Sequence, residues 1–260
     1  MREDIFTLGI DIGSTTSKAV ILNNGKEIVA KALIPYGTGT NGPQEVYRTV
    51  LKIANIQESE LKNVVVTGYG RFTFQKAKQQ ISEVSCHAAG MHFLMPSVRT
   101  VIDIGGQDAK ALSVSKDGKL LDFVMNDKCA AGTGRFLEVM SRVLNIPIDK
   151  LGDTSTLSHN PVNISSICTV FAESEVISQL ASGARIEDVV AGVHRSVAKK
   201  TASLALRIQL EDDIAVSGGV ALNHGIIKEL SLALRKKVYT VADAQLAGAY
   251  GAAVLGFKRL

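Results

Sequence analysis

Apolar residues occur along the chain in short blocks separated by polar turns. The blocks Phe6 to Ile12 and Lys18 to Asn23 have the composition of strands, and Asn24-Gly25 has the turn chemistry of a hairpin leading into Glu27 to Ile34. The same arrangement recurs, with strands predicted at Thr100 to Ile104, Lys110 to Ser115 and Leu120 to Met125. The pattern therefore predicts two similar strand-rich segments.

Stretches with the spacing of apolar residues typical of helices alternate with these strands. They are predicted at residues 43–53, 74–91, 135–144, 171–180, 186–210 and 244–258. This alternation indicates an α/β fold in which helices cover mixed sheets. We expect lobe one at residues 1–96, completed by the C-terminal helix 244–260, and lobe two at residues 97–243, with a hinge and a cleft between the lobes.

A short motif occurs once in each predicted lobe. Ile10-Asp11-Ile12-Gly13 is followed by Lys18, and Ile102-Asp103-Ile104-Gly105 is followed by Lys110. The pattern I-D-I-G-x4-K thus repeats after 92 residues, from position 10 to position 102. Because the flanking strands also match, the repeat indicates two related halves.

Composition narrows the range of partners. The chain has 260 residues, of which 46% are hydrophobic and 21% charged, and its formal net charge is +4. No basic run is interleaved with aromatic residues, which argues against a nucleic-acid partner. No apolar run approaches the ~20 residues needed to cross a bilayer, and residues 1–7 lack a signal-peptide pattern. We therefore expect a cytoplasmic protein with no membrane partner.

The three cysteines, Cys86, Cys129 and Cys168, do not form a conventional cysteine motif. Disulfides are not expected in a chain of this size, and the absence of C-x-x-C spacing excludes a self-contained zinc knuckle or thioredoxin-type site. A metal bound through these thiols therefore needs ligands from outside one chain. Each cysteine also fits a buried small apolar residue, and this is our interpretation of Cys86.

A turn with phosphate-binding chemistry follows the first strand. Asp11 stands at the strand end, and the turn continues with Gly13, Ser14, Thr15, Thr16, Ser17 and Lys18. Backbone N–H groups and hydroxyls in such a turn contact phosphate oxygens, while the Asp holds Mg²⁺ through water. An ordinary polar hairpin would have the same composition.

A second turn of this kind follows the strand that ends at Ile104. It contains Asp103, Gly105, Gly106 and Gln107. Two such turns facing each other across a cleft would clamp a triphosphate. We assign Asp11 and Asp103 to Mg²⁺ and its waters, and we expect Gln107 or Asp103 to orient the attacking water.

A third segment, Val216 to Asn223, ends a predicted strand with a glycine pair. Gly218 and Gly219 would let a base or ribose approach the backbone, and Asn223 would cap the next helix or bond the nucleotide. Gln245 is also assigned to the nucleoside. A lone glycine pair is a weak signal, and its weight comes from its position after the other two segments.

In this order, the three segments resemble the phosphate-1, phosphate-2 and adenosine motifs of the superfamily that contains actin, sugar kinases and heat-shock ATPase chaperones. The resemblance implies a two-lobed actin-like (ribonuclease H-like) ATPase fold with duplicated βββαβαβα-type halves that binds ATP or ADP. More narrowly, five longer segments resemble the activators of 2-hydroxyacyl-CoA dehydratases, of the 2-hydroxyisocaproyl-CoA or 2-hydroxyglutaryl-CoA type. These segments are Leu8 to Lys18, Gly68 to Arg71, Val101 to Lys110, Asn126 to Phe136 and Cys168 to Val176.

The narrower resemblance implies an ATPase that donates one low-potential electron to a dehydratase and receives it from ferredoxin or flavodoxin. In that family a [4Fe–4S] cluster bridges a homodimer, which implies that Cys129 and Cys168 of each chain are its ligands. Gly132, Thr133 and Gly134 are then expected at the nucleotide. The residues agree with this, because both cysteines precede predicted helices, whose N-termini favour thiolates. A four-thiolate cluster also requires two such chains.

Two other functions fit the same motifs. A small-molecule kinase of the superfamily would phosphorylate a sugar or a carboxylate, although 260 residues leave little room for the substrate-binding insertion that such kinases carry. A nucleotide-regulated actin-like assembly module would use the nucleotide only to control binding. Iron content after anaerobic purification distinguishes the activator from both.

Overall fold

The structure is a computed structural model and describes residues 4–127, 129–165 and 168–260 of the chain. Lys128, in the segment Asn126 to Phe136 singled out above, lies outside the described residues. The chain forms two compact units. The first contains Met1–Val98, Val114–Leu121 and Ala242–Leu260, and the second contains Arg99–Ser113 and Asp122–Val241.

The first unit is built on a five-stranded sheet with the order β3-β2-β1-β4-β5. Its strands are β1 (Phe6–Ile12), β2 (Ser17–Asn23), β3 (Glu27–Ile34), β4 (Leu61–Thr67) and β5 (Gln79–Gln80). The first three strands pair antiparallel, while β4 runs parallel to β1 and β5 parallel to β4. Asn24 and Gly25 have φ of 52° and 67°, as a two-residue Asn-Gly hairpin turn requires. The predicted hairpin is confirmed.

Helices cover both faces of this sheet. They are α1 (Gly42–Ala54), α2 (Glu83–Leu94) and α8 (Ala247–Phe257). Ala19 and Ile21 of β2 share a core with residues of α1, whereas Val20 and Leu22 pack with residues of α8. This alternation follows from the two-residue period of a strand and gives the sheet a buried face on each side.

The second unit also has a five-stranded sheet, with the order β10-β9-β6-β7-β8. Its strands are β6 (Thr100–Ile104), β7 (Ala109–Val114), β8 (Leu120–Asn126), β9 (Ile214–Ser217) and β10 (Val238–Tyr239). β6 pairs antiparallel with β7 and parallel with β9, and every residue of these three strands is buried. The polar ends of β6 and β9 are therefore held on a rigid support.

In the part of the second unit that the structure describes, the α-helices lie between residues 134 and 234. They are α3 (Gly134–Leu144), α4 (Leu151–Thr156), α5 (Thr169–Ala181), α6 (Ile186–Ala205) and α7 (His224–Leu234). α6 packs against α4, α5 and α7, and α3 packs against α5. Among the helices of the described residues, none is both long and apolar enough to cross a bilayer.

The helix predicted at 74–91 was wrong in its first half. Lys78 N–H donates to Val64 O at 2.9 Å and Ile81 N–H donates to Val66 O at 3.1 Å, so this stretch runs beside β4 as β5. The helix begins only at Glu83, where the Ser82 side chain caps it. Pairing with the sheet here outweighs the helix propensity of the Gln, Lys and Ala residues.

The helix predicted at 186–210 ends earlier, at Ala205. Arg207 N–H donates to Leu204 O and Ile208 N–H donates to Ala205 O, each three residues back, which tightens the last turn and ends the helix. The shorter helix leaves residues 206–213 to connect α6 with β9.

Candidate functional site

The repeated motif of the sequence corresponds to a cross-strand pair in the first unit. Asp11 of β1 lies directly opposite Lys18 of β2, and Lys18 Nζ is 3.2 Å from Asp11 Oδ2. Both side chains are largely buried. Gly13 N–H donates to Thr16 O at 3.0 Å and closes the turn between the strands. The x4 spacing of the motif is thus the length of this hairpin turn.

Two neighbouring loops hold the turn at residues 13–16, which we call the phosphate-1 turn. Thr38 N–H donates to Gly13 O at 2.9 Å, and Gly70 N–H donates to Ile12 O at 2.9 Å. At the start of β2, the Ser17 hydroxyl donates to Tyr36 O at 2.8 Å. Ser17 is therefore buried in a structural hydrogen bond, unlike Ser14, Thr15 and Thr16, which are partly exposed.

The Asp11 carboxylate lies in a narrow space made by two glycines. A Cβ atom on Gly68, whose φ is +87°, would overlap Asp11 Oδ1, and one on Gly248 would lie 2.9 Å from Asp11 Oδ2. The same position on Gly248 is 3.0 Å from His87 Nε2, so Asp11 and the buried His87 ring are neighbours. Sequence spacing gave no indication of this, because the two residues are far apart in the chain.

The second unit contains the corresponding pair with an additional partner. Lys110 Nζ is 3.3 Å from Asp103 Oδ2 and 2.7 Å from Asp108 Oδ2. The Ser217 hydroxyl donates to Asp103 Oδ1 at 2.7 Å. Asp103 and Lys110 are both 1% exposed, so this is a buried charged network. Asp108 and Ser217 lie in the segments singled out from the sequence, but neither was assigned a role there.

The first turn of α3 lies on the turn at residues 105–108, which we call the phosphate-2 turn. Gly105 N–H donates to Asp108 O at 2.9 Å and closes this turn. Gly134 N–H and Arg135 N–H donate to Gly105 O and Gly106 O, both at 2.8 Å. The structure therefore brings the segment Gly132 to Gly134 together with the predicted phosphate residues Gly105 to Gln107.

The segment that precedes α3, residues 129–134, is held by its own hydrogen bonds and by α6. The Thr133 side chain is fully buried and its hydroxyl donates to Ala130 O at 2.7 Å. Gly132 has φ of +89°, and a Cβ atom there would lie 3.0 Å from Lys200 Cγ. Asn126 Nδ2 donates to Cys129 O at 3.2 Å. The segment is thus fixed at both ends, with Cys129 half-buried at its start.

Cys168 is the N-cap residue of α5 and is exposed. Its carbonyl oxygen accepts a hydrogen bond from Ala172 N–H at 2.9 Å. Upstream of Cys168, the N–H and the hydroxyl of Ser165 donate to the carboxylate of Glu175 on α5 at 3.1 Å. Ser166 and Ile167 lie outside the described residues. Because α3 packs against α5, both cysteines precede helices of the same packed pair.

Asp188 anchors the chain further upstream of Cys168. Its Oδ1 accepts from the Ser158 hydroxyl at 2.7 Å and from the N–H groups of His159 and Asn160 at 3.0 and 2.9 Å. The bond from Ser158, followed by the bonds from the backbone, lowers the pKa of the Asp188 carboxyl.

Cys86, unlike Cys129 and Cys168, is fully buried, on α2. Burial raises the pKa of its thiol to about 12, as expected for a structural cysteine.

The predicted adenosine segment forms a turn and a helix cap. Gly218 has φ of +84°, and Gly219–Leu222 is a short 3-10 helix. Asn223 Oδ1 accepts from Ile226 N–H at 3.2 Å, which confirms the predicted cap of α7. Gln245 lies on another 3-10 helix, Ala244–Leu246, which belongs to the first unit.

A buried histidine lies beneath Asn223. Asn223 Nδ2 is 3.1 Å from His194 Nε2, and since Nδ2 is a donor, Nε2 accepts and the His194 proton is on Nδ1. Burial, followed by the nearby His224, lowers the pKa of His194 to about 4. The contact with His194 fixes the orientation of the Asn223 amide. The sequence of α6 gave no indication that His194 would make it.

Comparison with known proteins identifies the family. The model of the BadF/BadG/BcrA/BcrD ATPase family matches residues 8–256. The chain is 51% identical to the 2-hydroxyisocaproyl-CoA dehydratase activator of Clostridioides difficile, over 97% of this chain and 95% of that protein. It is 49% identical to the (R)-2-hydroxyglutaryl-CoA dehydratase activating ATPase of Acidaminococcus fermentans, over 98% of each.

Solved structures agree in the fold. The activator of the 2-hydroxyisocaproyl-CoA dehydratase from Clostridium difficile with bound ADPNP matches with a TM-score of 0.94 and 50% identity, over 98% of this chain and 95% of that chain. A ROK family glucokinase from Streptomyces griseus matches at 14% identity with a TM-score of 0.60, over 97% and 99%, which shows the fold alone. The chain therefore has the actin-like ATPase and sugar-kinase fold. It belongs to the BadF/BadG/BcrA/BcrD ATPase family, and both the predicted fold class and the family resemblance are confirmed.

Proposed function

We propose that this protein is the ATP-dependent activator of a 2-hydroxyacyl-CoA dehydratase, to which it passes one low-potential electron. The observation that carries the proposal is the 2.8 Å hydrogen bond from Gly134 N–H to Gly105 O, which ties the start of α3 to the phosphate-2 turn. The loop that makes this contact also carries Cys129. The names of the Clostridioides and Acidaminococcus relatives support the same function.

We assign the nucleotide contacts to the two turns and the adenosine segment as part of this proposal. Asp11 and Asp103 would hold Mg²⁺ through water, since each carboxylate lies near the end of its strand, next to one of the two proposed phosphate turns. The phosphates contact backbone N–H groups and hydroxyls of the two turns, together with the segment at residues 132–134. The nucleoside residues are Gly218, Gly219, Asn223 and Gln245.

The cysteines fit a shared metal centre. Cys129 is half-buried and Cys168 is exposed at a helix N-terminus, so each chain offers two thiols, whereas a cubane cluster takes four. A [4Fe–4S] cluster held by Cys129 and Cys168 of two chains would supply a one-electron donor. Ferredoxin or flavodoxin is the proposed source of that electron.

The surface of α5 supports a homodimer. Val170, Phe171 and Ile177 are 67%, 69% and 53% exposed, and they lie on the helix that Cys168 caps. Val170 and Ile177, seven residues apart, lie on the same side of the helix, and Phe171 lies about 100° around the axis from Val170, so together they form a broad apolar surface. An exposed apolar face next to an exposed thiol favours a second copy of the chain as the group that covers both.

Coupling between nucleotide and metal would act through residues 129–134. A nucleotide that moves the phosphate-2 turn moves Gly134, because the two share a backbone hydrogen bond. Movement of Gly134 is transmitted to Cys129 through the buried Thr133 hydroxyl and its bond to Ala130 O. ATP binding and hydrolysis would in this way change the position of a metal ligand.

Iron content after anaerobic purification tests the proposal. The parent protein is expected to be brown and to contain about four irons per dimer. Cys129→Ser and Cys168→Ser should each lose most of this iron, whereas Cys86→Ser, in which a buried thiol is changed, should keep it. Equal iron in all four proteins would disprove the assignment of ligands.

The same preparation separates the activator from other nucleotide-dependent functions. An iron-free protein that transfers phosphate to a small hydroxyl compound would be a kinase, and concentration-dependent polymers would indicate an assembly module. For the activator, Gln107→Ala or Asp103→Asn should lower ATP hydrolysis while the iron content stays at the parent value. Unchanged hydrolysis in both variants would reject the proposed water-orienting role.

A further inference from the structure

A cavity of about 640 Å³ lies in the first unit, between α1 and the segments at residues 55–58 and 73–76. Its volume is within the range of small-molecule binding sites. The lining contains none of the residues assigned above to the nucleotide or to the metal. The cavity is therefore a separate feature that the proposed function leaves unexplained.

The lining combines an apolar wall with polar and charged side chains. Leu51, Ile56 and Phe74 supply the apolar part, and the Phe74 ring packs against Tyr47 with centroids 5.5 Å apart. Four carboxamides surround it, from Gln44, Asn55, Gln57 and Gln75. An apolar surface with a few polar groups around it is the usual composition of a site for an organic ligand.

Charge in the lining is predominantly positive. It has three cations, Arg48, Lys52 and Lys76, and one carboxylate, Glu58. Lys76 forms an ion pair with Glu58 and also lies over the Tyr47 ring, 4.9 Å from its centroid. Within the described part of the chain, no carboxylate lies within 4.0 Å of the other two cations, Arg48 and Lys52. One turn of α1 separates these two, so both can reach a single anionic group.

Tyr47 adds a buried hydroxyl to the wall of the cavity. The residue is 4% exposed, and among the described residues no acceptor lies within 3.5 Å of its hydroxyl, although the Glu58 carboxylate is close enough to act on it. Burial raises the pKa of Tyr47, and the nearby Glu58 carboxylate raises it further. The hydroxyl therefore stays protonated near neutral pH and lies on the Glu58 side of the cavity. Its contact with Glu58 is longer than an ordinary hydrogen bond, so a ligand oxygen in the cavity would be a better acceptor for this hydroxyl.

We propose that this cavity binds a small organic anion that has a flat apolar body and one carboxylate, sulfonate or phosphate group. Arg48 and Lys52 pair with the anionic group, the apolar body packs on Leu51 and Phe74, and the Tyr47 hydroxyl donates to a ligand oxygen. The site shares no residue with the proposed nucleotide and metal sites, so this proposal can be tested separately from the proposed function.

Two fluorescent probes of the same ring system test the proposal with the full-length protein. 8-Anilinonaphthalene-1-sulfonate carries the anionic group, and N-phenyl-1-naphthylamine lacks it. We expect the sulfonate to bind the parent protein more tightly than the neutral probe, and the affinity of the sulfonate alone to fall as salt is raised. Failure of the parent to bind the sulfonate, or equal affinity for both probes, would overturn the proposal.

Variants locate the probe. The double change Arg48→Gln and Lys52→Gln should weaken binding of the sulfonate by about tenfold while binding of the neutral probe stays within about twofold. Tyr47→Phe should weaken the sulfonate by a smaller factor. Lys26→Gln, which removes an exposed cation from the β2–β3 turn, is the matched control and should change neither affinity.

Circular dichroism and nucleotide affinity show whether each variant is folded. Arg48 and Lys52 are exposed, so their replacement should leave both measurements unchanged. In a crystal soaked with the sulfonate, the sulfonate group should lie within about 3.5 Å of the Arg48 guanidinium. A folded double variant that binds the sulfonate as the parent does, or a soaked crystal with the probe elsewhere, would show that the cavity is not the site.

Discussion

Asp103 and Lys110 face each other across the β6–β7 hairpin, and Lys110 Nζ lies 3.3 Å from Asp103 Oδ2. The equivalent pair in the first unit, Asp11 and Lys18, is separated by 3.2 Å. The motif I-D-I-G-x4-K therefore encodes one hairpin twice, with a strand-end carboxylate held by a lysine on the opposite strand. The two copies provide the carboxylates that we propose for Mg²⁺.

Replacing Lys110 by Met should strongly destabilise the protein. The change leaves the Asp103 charge buried without its cation, at a cost of about 3 to 5 kcal/mol in the free energy of unfolding. Urea denaturation followed by circular dichroism measures this. Lys31→Met is the control, because its pair with Asp243 is more exposed and should contribute less than about 1 kcal/mol.

A double variant makes this prediction more specific. Adding Asp103→Asn to Lys110→Met removes the buried charge that the single change leaves unpaired. The double variant should therefore be more stable than Lys110→Met alone. Equal stability of the single and double variants would mean that the loss comes from packing and not from charge.

Local sequence patterns were sufficient to predict the hairpins and the turns. The β2–β3 turn depends on Asn24 and Gly25, whose positive φ values are a property of the residues themselves. The phosphate-1 turn follows from the regular spacing of Asp11 and Lys18 on adjacent strands. These features depend on residues within about ten positions of each other, so a local stretch of the sequence is enough to predict them.

Features that depend on distant contacts were not predicted. β4 was missed although Val64, Val65 and Val66 form an apolar run, and residues 74–82 were predicted as helix because their pairing with β4 is not visible locally. The contact of His194 with Asn223 joins residues 29 positions apart and depends on how α6 packs against α7. Tertiary packing decides such positions and outweighs propensity.

Gly218→Ala should lower the free energy of unfolding more than Gly183→Ala does. At φ of +84°, a Cβ atom would overlap Ile104 O and lie 3.0 Å from Asp103 Oδ1. Gly183 has φ of +86° but has nothing within 4 Å of the same position. We expect Gly183→Ala to cost about 1 to 2 kcal/mol in the free energy of unfolding for the backbone alone, and Gly218→Ala about 1 to 3 kcal/mol more.

Nucleotide affinity provides a second comparison of the variants Gly218→Ala and Gly183→Ala. Gly218→Ala should also weaken ADP binding measured by calorimetry, because the added methyl group lies in the proposed adenosine segment. Gly183→Ala should bind ADP as the parent does. If the two variants had the same stability and the same ADP affinity, the close approach at Gly218 would have no role.

His194 should make stability depend on pH in a defined window. Its pKa is about 4 in the folded protein and near 6.5 when unfolded, so the unfolded state binds more protons between these values. The contribution of His194 to the free energy of unfolding is therefore fully present above pH 6.5 and is lost as the pH drops towards 4. His194 should account for a loss of roughly 2 kcal/mol between pH 7 and pH 5.

The contribution of His194 is isolated by comparison with His194→Gln. This variant cannot take up a proton at that position, so its free energy of unfolding should fall less between pH 7 and pH 5 than that of the parent. Chemical denaturation at both pH values gives the difference. An identical decrease in both proteins would assign the pH dependence to other groups.

Residues 129–134 connect a proposed metal ligand with the phosphate-2 turn, and the electron paramagnetic resonance spectrum of the reduced anaerobic protein tests that connection directly. The spectrum should differ between MgADP and a non-hydrolysable MgATP analogue, because Gly134 senses the phosphate-2 turn and Cys129 lies in the same loop. In Thr133→Val, which lacks the hydroxyl bond to Ala130 O, the difference should be smaller. A parent spectrum that is the same with both nucleotides would contradict the coupling.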